Sequence, residues 1–197
     1  MLDLLINIDK ALFLFFNLSI ANPIFDYVMP LITDWDKLFL SRILLVSLFI
    51  YLLFFQGTKG RKLLLLVAIT ILISDQVSSS VIKPIVARAR PCHIIDGKYI
   101  VENLRLLVSC GSGFSFPSSH AVNHFAVAVI LTYYYNNFKL LFFSIATLVA
   151  FSRVYNGVHF PSDIFFGALI GCLIAFVMYK IFILADKKIF NKKPDAI

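Results

Sequence analysis

Three short stretches of this sequence hold the side chains best suited to binding an anion and transferring a group from it. They are Lys83-Pro-Ile-Val-Ala-Arg-Ala-Arg90-Pro91, Pro117-Ser-Ser-His120, and Ser152-Arg153 followed by His159 and Asp163. Between them Lys83, Arg90 and Arg153 supply cations, His120 and His159 imidazoles, Ser118 and Ser119 hydroxyls, and Asp163 a carboxylate. All are set among segments that are otherwise hydrocarbon. Ionisable groups at the edge of a membrane are costly unless paired or used. Their recurrence at the ends of several apolar runs implies one shared polar pocket.

Each stretch has its own chemistry. Lys83 and Arg90 would share a face if the helix continued through both, and together they would clamp a phosphate, Lys as a point charge and Arg as a bidentate fork. Snorkelling to lipid headgroups is the plainer alternative. Arg88 would then point elsewhere. Pro117-Ser118-Ser119-His120 reads as a loop entering a helix, with Ser as the cap and free backbone amides available to an anion. His120 falls in the first turn, and His124 one turn later reads as packing or a supporting partner. His93 reads as a loop residue. His159 and Asp163 are four residues apart, so a helix starting near Pro161 brings the carboxylate back to the imidazole. A carboxylate on one ring nitrogen fixes the tautomer and leaves the other nitrogen nucleophilic. The same pair could ligate a metal, but three cations already do for a phosphate what a divalent ion would. We therefore expect neither metal nor cofactor.

The elements that position these groups are membrane spans. The chain has 197 residues, 60% of them hydrophobic and 15% charged, with mean hydropathy +0.88, against about 25% charged in a soluble domain. The net charge of +7 sits at span ends and in the motifs, not in an aromatic-interleaved basic patch, so nucleic acid binding is not indicated. Met1-Leu-Asp-Leu-Leu lacks the basic region of a cleavable signal peptide. Five runs have the length and apolarity of transmembrane helices: about Leu38 to Gln56, Leu63 to Val86, Ser119 to Tyr135, Phe138 to Val154, and Ser162 to Leu184. Gly57-Thr-Lys-Gly-Arg-Lys62 reads as a basic turn. It falls on one side together with Lys139, Lys187-Lys188 and Lys192-Lys193, which the excess of Lys and Arg marks as cytoplasmic. The three motifs then all lie on the outer side.

The predicted fold is all-α, a single-domain integral membrane bundle of five transmembrane helices. Residues 1–36 precede a core of 37–186, and a basic tail covers 187–197. Asp3, Asn7, Asp9, Lys10 and Asn17, with breaks at Asn22-Pro23 and Pro30, make the N-terminal stretch two short interfacial helices, a sixth span being the alternative. Cys92 and Cys110 bracket the outer loop. A disulfide there is expected if that side is oxidising, with two free thiols as the alternative. Cys172 reads as a packing residue.

The pattern Lys-x6-Arg-Pro, Pro-Ser-x-His, Ser-Arg-x5-His-x3-Asp resembles the type 2 phosphatidic acid phosphatase superfamily, whose pocket is shared with vanadium haloperoxidases. The resemblance implies that His159 is the nucleophile, forming a phosphohistidine, with Asp163 orienting it. It implies that His120 is the general acid toward the leaving lipid oxygen. Lys83, Arg90, Arg153, Ser118 and the Ser119 amide would hold the phosphoryl oxygens. The family commonly has Gly where this chain has Ser119, which bears on how closely the backbone approaches the anion.

These readings converge on a metal-independent phosphatase of the inner membrane, its site facing the periplasm or cell exterior. Its partner would be a membrane lipid: undecaprenyl diphosphate, lipid A 1-phosphate or phosphatidylglycerophosphate by resemblance. An anion channel or transporter using the same cations is the alternative, although such folds often show repeated, interrupted halves and this sequence shows none. A haloperoxidase-like oxidant enzyme fits a soluble chain better than this one.

Overall fold

The computed structural model describes residues 2–95 and 97–190. Helix α1 (Leu2–Leu14) runs on through a π-helical stretch, Phe15–Ser19, and α2 (Pro23–Thr33) follows at 116° to it. The bend has a local cause. Asn22 takes an extended conformation, its side chain accepts from the Phe25 amide (3.0 Å), and Pro23 opens the next helix, so one helix stops where another is capped. A short 3-10 turn (Trp35–Lys37) leads into α3 (Phe39–Phe54). Helix α4 (Gly57–Gln76) continues through a second π stretch, Val77–Ile82, into α5 (Lys83–Val86). A long loop carrying a two-stranded hairpin, Ile94–Ile95 with Lys98–Tyr99, precedes α6 (Ser119–Tyr134), α7 (Lys139–Tyr155) and α8 (Pro161–Phe190).

Among the described residues, three continuous helices are long and apolar enough to cross a membrane: Gly57–Val86, Asn136–Tyr155 and Pro161–Lys188. The bent pair Asp3–Ser19 and Pro23–Thr33 makes a fourth if it counts as one span, and Phe39–Phe54 is apolar but shorter. Large apolar side chains on this surface, such as Phe39, Leu40, Ile85, Leu140 and Leu173, are exposed, as expected where hydrocarbon replaces water.

Helix α6 is the centre of the bundle, packed by α4, α7 and α8. Its partners approach closely because the interface is built of small residues. Ala121, Val122, Ala126 and Ala175 are wholly buried. Gly171 on α8 leaves no room for a side chain, since a Cβ there would lie 2.2 Å from the Val122 carbonyl oxygen, and Gly167 is tight, a Cβ meeting Ala121 and the Ser118 carbonyl at 3.0 Å. Below this seam, Leu63, Leu66 and Ile130 form an apolar cluster with Leu52 and Ala175.

Several sequence expectations change here. Residues 57–62 are not a free turn, because α4 begins at Gly57. Lys62 pairs with Asp186 of α8 (2.6 Å), and Lys59 lies over the Tyr135 ring (4.6 Å), so the basic residues tie together one end of the bundle. Lys187 and Lys188, assigned to a tail, extend α8, which reaches Phe190; Lys192 and Lys193 lie outside the described residues. The all-α expectation misses the small hairpin in the outer loop.

The N-terminal polar residues have partners in the fold. Asn17 is fully buried, and its amide donates to the Arg105 and Tyr155 carbonyls (2.8 Å each) while its oxygen accepts from the Arg105 amide (2.7 Å). Arg105 pairs with Asp26, which also accepts from the Tyr155 hydroxyl (2.6 Å). A run that looked too polar for a span is polar because it satisfies the backbone of the loop before α6 and of α7.

Candidate active site

At the end of the bundle away from Lys62 and Asp186, the ends of α5, α6, α7 and α8 present the motif residues together. The His159 turn is the rigid part. Gly157 holds a left-handed conformation (φ +85°), and a Cβ there would lie 2.4 Å from the Arg105 carbonyl oxygen, so the chain can turn only with glycine. Two residues on, His159 is 1% exposed. Its Nδ1 faces Asp163 Oδ2 and Ser115 Oγ, each at 3.4 Å, and Nε2 is left without a bonded partner among the described residues. Asp163 is fully buried in the first turn of α8. Its Oδ2 also accepts from the Phe160 amide (2.8 Å) and from the Ser115 hydroxyl, while Oδ1 accepts from Arg88 Nη1 (2.8 Å). Four donors thus occupy the carboxylate and aim it at the imidazole. Burial pushes the His159 pKa down to about 4, against the raising effect of Asp163 and with the help of Arg90 and Arg153, so the ring is neutral across the physiological range.

The cations surround this imidazole. Arg153, in the last turn of α7, is 8% exposed; Nη1 donates to the Thr33 hydroxyl (3.0 Å) and Nε is buried without a partner. Arg90 is equally buried, and carbonyls of the loop between α5 and α6 hold it: Nε donates to Gly113 (2.7 Å) and Nη1 to Cys110 (2.9 Å). Burial lowers its pKa, with Asp163 opposing. Lys83 makes no hydrogen bond or ion pair among the described residues. Lys83, Arg90 and Arg153 lie near enough to repel one another, and His120 is near enough to interact with Lys83, Arg153 and His159. Mutually repelling cations on partly buried positions are stable when an anion sits among them.

His120 opens α6, its ring stacked on His124 (centroids 6.3 Å, planes 11° apart) and without a hydrogen-bond partner among the described residues. His124 is tied down: the Trp35 indole, a donor only, donates to its Nε2 (3.1 Å), so Nδ1 carries the proton given to the His120 carbonyl (2.9 Å). Ser118 is the first residue of the helix cap, but its side chain makes no capping bond. Its Oγ is buried without any partner, and its amide donates to the Asp163 carbonyl (3.1 Å). The Ser119 hydroxyl is within 3.2 Å of Ser78 and Ser79 in the π stretch of α4. These contacts tie α6 to the helix that continues α4.

Two expectations need correcting. Lys83 and Arg90 do not share a helical face: the helix ends at Val86, Ala87 turns left-handed (φ 49°), and Arg90 reaches the cluster from the loop. Arg88, expected to point elsewhere, bonds Asp163 and also Asp9 Oδ2 (2.6 Å). Ser115, Thr33 and Trp35 are further participants that the sequence did not mark. Cys92 and Cys110 are joined by a disulfide across the loop whose carbonyls hold Arg90. A groove of about 570 Å³ between α4 and α8, lined by Leu65, Leu66, Met178, Ile181 and Phe182 among others, contains none of the motif residues.

Residues 60–186 match the model of the PAP2 superfamily. This chain belongs to that superfamily. It is accordingly a phosphoric monoester hydrolase, and named relatives agree. It is 35% identical over 180 residues to a lipid A 4'-phosphatase of Bacteroides thetaiotaomicron, covering 87% of this chain and 75% of that protein. It is 30% identical to a lipid A 4'-phosphatase of Porphyromonas gingivalis, covering 95% and 78%. The crystal structure of a transmembrane PAP2-type phosphatidylglycerolphosphate phosphatase from Bacillus subtilis superposes with TM-score 0.66 at 27% identity, covering 96% of this chain and 89% of that one.

Proposed function

We propose that this protein removes a phosphate monoester from a membrane lipid at the outer face of the inner membrane, through a phosphohistidine and without a metal. The observation that carries the reading is that two of the buried polar atoms without a partner among the described residues, Ser118 Oγ and Arg153 Nε, belong to the motifs that meet at His159, whose Nδ1 faces Asp163. A buried donor without a partner is costly, and a phosphoryl group satisfies both.

In the mechanism, His159 Nε2 attacks phosphorus while Lys83, Arg90, Arg153, Ser118 and the Ser119 amide neutralise the equatorial oxygens; positioning and charge stabilisation supply most of the acceleration in such transfers. The P–O bond to the lipid breaks, and His120 gives its proton to the leaving oxygen. Asp163 stabilises the imidazolium that develops on His159. Water, deprotonated by His120, then attacks the phosphohistidine, releasing inorganic phosphate and restoring both rings. The lipid enters laterally, its chains remaining in the bilayer.

In the five-span arrangement the alternating crossings are α3, α4 continued through α5, α6, α7 and α8. The basic end around Lys59, Lys62 and Lys187 faces the cytoplasm, which puts the site outside. The relatives named above support lipid A as the substrate class, its 4'-phosphate before its 1-phosphate. Phosphate release from detergent-purified protein, in chelator, tests this on a panel of lipid A, undecaprenyl diphosphate and phosphatidylglycerophosphate, with His159→Ala as blank. Preferred turnover of lipid A and a dead blank are expected. A blank as active as the parent would remove the nucleophile assignment, and turnover of another lipid alone would remove the substrate class.

A further inference from the structure

Asp9 stands on α1, far in sequence from every motif and before residue 60, where the match to the family begins. It is nevertheless 8% exposed and fully engaged. Its Oδ1 accepts from the Ser162 amide (2.9 Å), and its Oδ2 accepts from the Ser162 hydroxyl and from Arg88 Nη2 (2.6 Å). The other arm of that guanidinium, Nη1, donates to Ser162 Oγ (2.6 Å) and to Asp163 Oδ1 (2.8 Å). The guanidinium also lies over the ring of Phe160, 4.1 Å from its centroid. Phe160 is the residue next to His159.

We propose that Asp9 is a positioning residue of the hydrolase site, acting through Arg88 on the Asp163–His159 pair. The inference rests on His159 being the nucleophile and goes beyond it, because it makes the N-terminal helix part of the catalytic apparatus. The physical argument is one of shared charge. Arg88 is divided between two carboxylates, so Asp163 keeps electron density for the imidazole that must become positive. Without the Asp9 charge, Arg88 becomes an uncompensated, partly buried cation and draws on Asp163 alone. The guanidinium also loses the only partner of its Nη2 among the described residues, and with it part of what fixes its plane over the Phe160 ring. Conversely, Asp9 caps α8 by accepting from the Ser162 amide, and this alone would make it a stabilising residue only. The two roles separate in a double-mutant cycle, since residues acting through one another are non-additive.

The test uses the full chain purified in detergent, with lipid A in mixed micelles, and compares Asp9→Asn, Arg88→Gln, their combination and His159→Ala. Asp9→Asn should lower kcat about tenfold, equivalent to about 1.4 kcal/mol of barrier, with KM and inhibition by inorganic phosphate unchanged because the cations that grip phosphate are intact. In the Arg88→Gln background the same change should cost nothing further. A wild-type kcat for Asp9→Asn would overturn the inference, and so would a tenfold loss repeated in full on Arg88→Gln, which is the signature of capping alone. If Asp9→Asn does not fold, Asp9→Glu takes its place in the cycle, with a smaller loss expected and the same absence in Arg88→Gln. An active His159→Ala would sink the underlying mechanism; a dead one beside a full-rate Asp9 variant sinks this inference alone.

Discussion

At His159, burial and hydrogen bonding act in opposite directions and burial wins. The depressed pKa, about 4, means the ring proposed as nucleophile stays neutral well below the 6.5 of a solvated histidine. Since kcat/KM reports ionisations of the free enzyme, its acid limb, corrected for the substrate's own titration, should lie near pH 4. The rate is lost as pH falls through that value, because protonation removes the Nε2 lone pair. A limb centred near 6.5 would show a ring in contact with water. Lys83, Arg90, Ser118, His120, Arg153, His159 and Asp163 were legible because their chemistry is written in their types. Arg88, Ser115, Thr33 and Asp9 were not. Their partners come from elsewhere in the chain (Asp163 lies 75 residues beyond Arg88), and no local spacing records that. Ala87 was equally silent: it turns left-handed without the Gly or Asn that usually announces such a turn.

Among the elements, α8 and α6 set the geometry, because the N-terminus of α6 hangs from α8 through the bond from the Ser118 amide to the Asp163 carbonyl. Their closeness depends on Gly167 and Gly171. Gly171→Leu should therefore drive the helices apart, lowering stability by about 2 kcal/mol or more and abolishing turnover together with a fall in melting temperature. The neighbouring Cys172→Ala, at a half-buried position, should change neither; equal stability of the two variants would mean the seam is looser than the structure has it. The Gly-x3-Gly spacing was present in the sequence, in a run read only for its apolarity. The π stretches at Phe15–Ser19 and Val77–Ile82 had no such signal. Both bring polar side chains inward, Asn17 to the outer loop and Ser78 to Ser119, and such stretches are frequent at functional sites.

The whole molecule is polarised along its helices. Lys59, Lys62, Asp186 and Tyr135 tie one end, and the cluster of motif residues occupies the other, beside a disulfide-bonded loop and the bent N-terminal pair. Hydropathy and loop charge were enough to infer that polarity, whereas the partners of the N-terminal polar residues, read as marking two interfacial helices or a sixth span, lie in the loop before α6 and in α7. Everything in the account depends on these ends converging so that one anion is held in line with His159. The most direct measurement is rapid quenching of the enzyme during turnover of a radiolabelled lipid phosphate, followed by mapping of the acid-labile, base-stable label. The label should be found on Nε2 of His159 and be absent in His159→Ala. Phosphate released at the parent rate with no label ever trapped on His159, or with label on His120 instead, would contradict the account.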